Sequence, residues 1–145
     1  MPGVFSGVCF FRRLTMSASK ICVVVVSGSL ERLQMAAMVA SVGAVSGQEV
    51  MVFLSMNALP YFVKDNASKA PHEGEMGKLM AGKKVPEFKT LFEQSVELGD
   101  AKIYPCSMAM DVLGVEQEGL EGYLQNATGL TKFLHDAQDG QVWTF

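Results

Sequence analysis

The sequence predicts one α/β domain built around an open sheet that carries helices on both faces. Apolar residues make up 49% of the 145 residues and charged residues 19%, which is enough apolar surface for one core of ordinary domain size. Short β-branched runs alternate along the chain with longer segments of helical spacing, as in proteins whose strands are joined by crossover helices. The longest apolar run, residues 21–26, is far shorter than the ~20 residues that span a bilayer.

The first three elements predict a βαβ unit. Residues 21–26 form a continuous β-branched run, typical of a parallel strand that is covered on both faces. Residues 30–45 predict a helix that is almost free of charge after Arg32, so most of its circumference must pack on the sheet, on a second copy of the chain, or on both. Residues 49–54 then predict a second strand, and a right-handed crossover connects the two strands.

The later elements follow from caps, chain breakers and the spacing of apolar residues. Asn57 is a favoured N-cap, Pro86 suits the first turn of a helix, and Gly114 suits the left-handed position after one. In chain order we predict a short helix at 57–63, a mobile loop at 65–84, a helix at 86–99, a strand at 101–104, a helical turn at 107–113, a short strand at 120–124, a helix at about 128–138 and a strand at 142–145.

Charge and cysteine usage exclude several classes of protein. The net charge is −3 and the basic residues are scattered, whereas a nucleic-acid binder concentrates them. The three cysteines, Cys9, Cys22 and Cys106, are an odd number without a CxxC pair, so neither a disulfide framework nor a structural zinc site is predicted. A reducing cytoplasm fits this cysteine usage best.

Residues 1–19 are interpreted as an N-terminal extension, either disordered or preceding the true start, and residues 20–145 as a single domain. The apolar residues of the extension come before Arg12 and Arg13, which is the reverse of the order in a signal peptide. Met16 stands shortly before the first strand and is an alternative start.

Two loops at the carboxyl ends of predicted strands are the candidate ligand sites, because open α/β sheets bind ligands there. The first loop is Ser27-Gly28-Ser29, and the second is Pro105-Cys106-Ser107. The positive end of a helix dipole beside Cys106 favours the nucleophilic thiolate. A buried cysteine that only fills space is the other interpretation, and the pattern alone leaves both open. Cys22 lies inside an apolar strand and is interpreted as core.

The segment from Cys106 to Gly114 reads C-S-M-A-M-D-V-L-G. It resembles the C-S-M-x-M-D-x-x-G cysteine motif of one branch of the DsrE/DsrF/DsrH-like superfamily. Pro105 and Ser29 stand where the family usually has other residues. Further similarity extends over nearly all of the chain from Lys20 onward, through V-S-G at 26–28, the loop around 77–80, V-P at 85–86 and the closing residues 129–145.

The resemblance implies a three-layer αβα sandwich with a five-stranded, mainly parallel sheet, assembled as a homo-oligomer that transfers sulfane sulfur between proteins. Cys106 inherits the role of the carrier, which holds the sulfur as a persulfide or thiosulfonate and needs no metal or organic cofactor. The expected partners are a small TusA-type sulfur-carrier protein and a rhodanese-like donor. The residues that line the site are expected to be Ser27, Gly28, Ser29, Ser107, Met108 and Met110.

Within that site, Ser107 and nearby backbone N–H groups are expected to stabilise the charged adduct, and Ser27 and Gly28 to form the opposite wall. Neither Cys9 nor Cys22 is placed to resolve a disulfide with Cys106. A lone thiol favours sulfur transfer over disulfide exchange.

The same residues support weaker alternatives. Cys106, Met108 and Met110 are soft ligands that could bind Cu(I) if the segment were extended or loosely helical, although methionine more often fills gaps in cores and interfaces. The chain could also be a non-catalytic structural subunit of a hetero-oligomer. A nucleotide site at residues 27–29 lacks a GxGxxG or Walker pattern.

The predicted loop at 65–84 adds one further hypothesis. Lys78, Lys83 and Lys84 could steer an anion such as thiosulfate or an acidic partner protein, although solvated lysines are common in loops. His72 and His135 are interpreted as surface residues. Loops of this length are commonly functional, and closure over Cys106 is one role that such a loop could have.

Overall fold

The computed structural model describes residues 19–145, so the predicted extension lies, apart from its last residue, outside the described part of the chain. The strands are β1 Lys20–Val25, β2 Glu49–Leu54, β3 Lys102–Pro105 and β4 Gln141–Thr144. The α-helices are α1 Leu30–Val45, α2 Glu75–Ala81, α3 Phe88–Gly99, α4 Ser107–Leu113 and α5 Leu130–Asp136, and 3-10 helices cover Met56–Phe62 and Gln117–Gly119. None of the helices within residues 19–145 is long and apolar enough to cross a membrane.

The sheet is parallel throughout and its strands lie in the order β3-β2-β1-β4. The β-branched strand β1 is central, with Ile21 aligned with Val50 of β2 on one side and with Gln141 of β4 on the other. The predicted α/β class with a parallel sheet is confirmed.

The prediction of five strands is wrong, because the sheet within residues 19–145 has four. Residues 120–124 were expected to supply the missing strand, yet they form only an isolated antiparallel bridge between Leu120 and Val63. The N–H of Leu124 closes a turn onto the carbonyl of Glu121 at 3.2 Å and is not available to a ladder. Leu120 and Leu124 are buried, so their apolar character reflects a loop packed onto the core.

Helices contact both faces of the sheet, as a three-layer arrangement requires. On one face, a Cβ at Gly43 of α1 would lie 3.1 Å from Cδ1 of Ile21 and 3.2 Å from Cγ2 of Val50. Because side chains alternate along a strand, Phe53 of β2 faces the other way, and its ring packs on Phe133 of α5 with centroids 5.0 Å apart. Helix α3 packs against α1.

Several predicted bounds are confirmed, and one predicted loop is partly wrong. Helix α1, strand β2 and helix α4 begin and end at the predicted residues, and Gly114 closes α4 with φ of 67°. The predicted loop at 65–84 contains α2, and the predicted cap Asn57 lies inside a 3-10 helix whose N-cap is Ser55.

One side of α1 stays exposed in the single chain. Four apolar side chains on it are between 45% and 64% exposed: Met35, Met38, Val42 and Val45. The prediction that a second copy of the chain covers this helix stays a prediction.

Candidate functional site

Cys106 lies between β3 and α4, where the chain turns from a strand into a helix. Its N–H donates to the carbonyl of Leu54 in β2 at 2.9 Å, and its own carbonyl accepts from the N–H of Met110 at 3.0 Å. It is therefore the N-cap of α4, with an extended backbone at φ −72° and ψ 120°. Only 4% of the residue is exposed. Hydrogen bonds on both sides fix where the thiol stands.

The first three backbone N–H groups of α4 differ in their hydrogen bonding. The N–H of Ser107 donates to the carbonyl of Thr128 at 3.0 Å. Within residues 19–145, no hydrogen bond engages the N–H of Met108 or of Ala109, and Cys106 makes no side-chain capping bond. An N-cap side chain normally accepts from these second and third N–H groups of a helix, and the helix dipole adds partial positive charge there.

The two methionines of the motif take opposite positions on α4. Met108 is 49% exposed, whereas Met110 is 7% exposed and belongs to the core. Residues two apart in a helix project about 200° apart. The Cu(I) hypothesis required an extended or loosely helical segment, whereas the segment is a regular α-helix, so that condition is not met.

The predicted Ser27-Gly28-Ser29 loop lines a cavity of about 490 Å³ that we call the serine pocket; its lining also includes Asn57, Tyr61, Asn66 and Ser68. The hydroxyl of Ser27 donates to that of Ser29 at 3.1 Å and accepts from the N–H of Ser29, also at 3.1 Å. A Cβ at Gly28 would stand 2.8 Å from the carbonyl oxygen of Asn57. The close approach of the two loops therefore requires glycine at this position.

Cys106 and the serine pocket lie at the same edge of the sheet but are not parts of one cavity. They follow β3 and β1, and β2 stands between them, so their backbones are roughly 10 Å apart. Cys106 is not among the residues that line the serine pocket. The structure thus places both predicted loops at the predicted edge, without making Ser27 and Gly28 a wall against the thiol.

Met56 comes just after β2, the strand that lies between those leading to the two loops, and sequence reasoning missed it. It follows β2, has a left-handed φ of 49° and is 55% exposed. A left-handed backbone is uncommon for a residue other than glycine and often accompanies functional sites. The only signal in the sequence was its place at the carboxyl end of a buried strand.

A second feature that the sequence did not reveal is a carboxylate that holds the segment 65–87, which we call the strap. The carboxylate of Glu31 in α1 accepts from the N–H groups of Glu73 at 2.7 Å, Gly74 at 2.7 Å and Gly77 at 2.9 Å. These bonds, that of Glu73 first, lower the pKa of Glu31 to about 2. We call this contact the Glu31 clamp.

The strap is tied to the same end of α1 by a second set of contacts. The guanidinium of Arg32 donates to the carboxylate of Glu73 at 3.0 to 3.2 Å, and the hydroxyl of Ser29 donates to it at 3.0 Å. Both donors, Arg32 first, lower the pKa of Glu73. The N–H of Leu30 donates to the carbonyl of Pro71 at 2.9 Å. These contacts fasten the strap beside the serine pocket.

The other predicted residues fall into different environments. Cys22 is fully buried in β1, and burial raises the pKa of its thiol, which agrees with its interpretation as core. Lys78 pairs with Glu75 at 3.4 Å on the surface of α2. Lys83 lines a second cavity, and its neighbour Lys84 does not.

Comparison with known proteins supports the family expected from the motif. The sequence model of the DsrE/DsrF/DrsH-like family matches residues 61–145, which is more than half of the chain and includes Cys106. No curated protein sequence matches the chain.

Solved structures with the same fold cover most of the chain. The ychN protein from E. coli is similar with a TM-score of 0.58 and 17% sequence identity, over 88% of this chain and 99% of that one. The MTH1491 protein of unknown function from Methanobacterium thermoautotrophicum has a TM-score of 0.57 and 8% identity, also over 88% of this chain and 99% of that one. At these identities the likeness concerns the fold alone.

Proposed function

Because this chain belongs to the DsrE/DsrF/DrsH-like family, we propose that it carries sulfane sulfur on Cys106 and passes it to partner proteins. Membership of the family gives a sulfur-relay context. The carrier role of Cys106 is the specific part of the proposal.

The arrangement around the thiol carries the proposal. Cys106 is the N-cap of α4, and the N–H groups of Met108 and Ala109 beside it have no partner within residues 19–145. A thiolate gains a terminal sulfur from a persulfide or thiosulfate, or an –S–SO3⁻ group from tetrathionate with thiosulfate as the leaving group, and each of these adducts is an anion. Two unengaged donors at the positive end of a helix stabilise such an anion.

The transfer conserves sulfur and needs no external oxidant or reductant. The Cys106 thiolate attacks the outer sulfur of a donor persulfide, the donor's S–S bond breaks, and the donor leaves as a thiolate. Thiosulfate reacts in the same way and leaves as sulfite. An acceptor thiolate then attacks the outer sulfur on Cys106, takes it as a new persulfide, and releases the Cys106 thiolate.

The partners and the setting are part of the proposal. A TusA-type carrier and a rhodanese-like protein are the proposed acceptor and donor, in the cytoplasm. A homo-oligomer is proposed on the exposed apolar side of α1, where Met35 and Val42 lie.

Burial of Cys106 favours one other function. Because only 4% of the residue is exposed, sulfur transfer needs a local opening between α4 and the loop after β2. If that opening does not occur, the cysteine is a core residue and the chain is a structural subunit of a larger assembly.

Intact-protein mass spectrometry separates these functions. Wild type, Cys106→Ser, Cys22→Ala and Cys9→Ser are incubated with thiosulfate, tetrathionate or polysulfide and measured before and after reductant. We expect a reductant-labile sulfur adduct in wild type and in the Cys22 and Cys9 variants, and none in Cys106→Ser. Cys22 is the matched control, because it is the other buried cysteine within residues 19–145 and lies inside β1.

Two outcomes contradict the carrier role. An adduct that persists in Cys106→Ser places the chemistry on another cysteine. No adduct from any donor, together with slow alkylation of Cys106 in the folded protein, identifies the structural subunit.

A further inference from the structure

A second cavity, of about 400 Å³, lies away from Cys106 between α1 and the strap. Its walls come from the first two turns of α1, from residues 66–72 and from residues 80–89. We call it the lysine cavity. Its volume lies within the range of sites that hold small organic ligands.

The charges that line this cavity are mainly positive. Lys69, Lys83 and Lys89 line it together with His72, and Glu87 is the one acidic residue of the lining. The chain as a whole has a net charge of −3. Three lysines and one glutamate therefore give the lining a positive charge, opposite in sign to that of the whole chain, and this charge favours an anion there.

Most of the uncharged lining is apolar, and Gln34, Asn66 and Ser68 are its polar members. Leu30, Val85 and Phe88 contribute to it, and the side chain of Phe88 also packs edge-on against Tyr61 at 5.8 Å between centroids. A site with an apolar floor and cations around it suits a molecule that has an apolar body and an anionic head.

Hydrogen bonds hold the walls in place without a ligand. The ammonium of Lys89 donates to the carbonyl of Asn66 at 3.1 Å, and the amide of the buried Gln34 donates to the carbonyl of Pro86 at 2.9 Å. The Glu31 clamp holds residues 73–77, which connect the two segments that line the cavity, against α1. A preformed site spends less binding energy on ordering its own residues.

We propose that the lysine cavity binds a small organic anion, with its apolar body on Leu30 and Phe88 and its anionic group among Lys69, Lys83 and Lys89. This site is separate from the thiol of Cys106. It adjoins the serine pocket, since Asn66 and Ser68 line both cavities.

Calorimetric titration with 1-naphthalenesulfonate tests the proposal. We expect saturable binding to the full-length protein, at least about fivefold weaker binding of the neutral 1-naphthalenemethanol, and weaker binding of inorganic sulfate, which lacks the apolar body. Lys83→Gln should weaken naphthalenesulfonate binding at least about fivefold. Lys84→Gln removes the same charge from the next residue, which does not line the cavity, and should leave binding unchanged.

Further variants separate this site from the proposed sulfur site. Cys106→Ser should bind naphthalenesulfonate as wild type does, so that failure of either proposal leaves the other standing. Equal losses of naphthalenesulfonate affinity in Lys83→Gln and Lys84→Gln would overturn the lysine cavity as an anion site. Equal affinity of the wild type for naphthalenesulfonate and naphthalenemethanol would overturn it as well. Thermal unfolding of each variant confirms that the fold is retained.

Discussion

The turn from β3 into α4 at Cys106, which we call the Cys106 corner, and the strap are held in place in opposite ways. At Cys106, backbone hydrogen bonds from adjacent regular elements fix the chain, with Leu54 of β2 on one side and Met110 of α4 on the other. In the strap, a side chain fixes the backbone instead, because the carboxylate of Glu31 accepts hydrogen bonds from N–H groups more than 40 residues away. The first region therefore depends on the sheet as a whole, and the second depends on single exposed side chains.

The largest expected effect comes from removing the packing beneath the Cys106 corner. Phe133 is fully buried and contacts the rings of Phe53 and Tyr104. Phe133→Ala should lower the free energy of unfolding by ~3–5 kcal/mol, because it leaves a cavity in the core. Denaturant unfolding measures this. A loss of stability confined to the strap, with an unchanged global unfolding transition, would contradict the view that the Cys106 corner depends on the sheet.

One methyl group added at Gly77 should release the strap from the Glu31 clamp. A Cβ at Gly77 would collide with the carboxylate of Glu31, whereas a Cβ at Gly74 meets nothing within 4 Å. Gly77→Ala should therefore displace the Glu31 side chain and speed amide exchange and proteolysis across the strap, without moving the global unfolding transition by a comparable amount. Gly74→Ala is the matched control and should leave the strap protected. Equal behaviour of the two variants would exclude the clamp as the contact that holds the strap.

Acid should loosen the strap before it affects the Cys106 corner. The pKa of Glu31 is lowered to about 2, and that of Glu73 is lowered as well. A carboxylate whose folded pKa lies below its unfolded value contributes stability above the unfolded pKa, near 4.3, and loses it as the pH falls through the folded pKa. The amide resonances of Gly74 and Gly77 should therefore titrate with a midpoint near pH 2. A midpoint near 4.3 would mean that the clamp is not formed in solution.

The smallest effect is expected at an exposed ion pair within the strap. Lys78 and Glu75 are 3.4 Å apart on the surface of α2, with both side chains mostly exposed. Lys78→Gln should change the free energy of unfolding by no more than about 0.5 kcal/mol and leave the lysine cavity unaffected, since Lys78 does not line it. Thermal unfolding measures the change in stability, and the naphthalenesulfonate titration measures binding in the lysine cavity. A large loss of strap protection would show that this pair, and not the Glu31 clamp, holds α2.

The same contrast explains how much the sequence predicts. Helix α1, strand β2 and helix α4 have the predicted bounds, and β1 lies one residue earlier than predicted. These elements are predictable because β-branched runs, helical spacing and a glycine after a helix are local signals. The strand expected at 120–124 is wrong and the loop expected at 65–84 is partly wrong, because the conformations of both segments depend on distant contacts. Leu120 and Leu124 are apolar because they pack on the core from a loop, and α2 begins where Glu31 supplies its cap.

The candidate site divides in the same way. Cys106 and the Ser27-Gly28-Ser29 loop could be placed at one edge of the sheet because the carboxyl ends of parallel strands meet there. Their separation by β2 depends on strand order, which no local pattern gives. The left-handed Met56 after β2 and the anchoring of Glu73 by Arg32 and Ser29 likewise arise only once the chain is folded.

The carbonyl of Phe145 has a practical consequence for handling this protein. It accepts the N–H of Val26 at 2.8 Å and that of Ser27 at 3.2 Å, so the chain position after Phe145 opens directly beside the serine pocket. Any affinity tag or fusion partner attached there would crowd the pocket. A tag placed after Phe145 should therefore be removed before ligand binding in the serine pocket is measured.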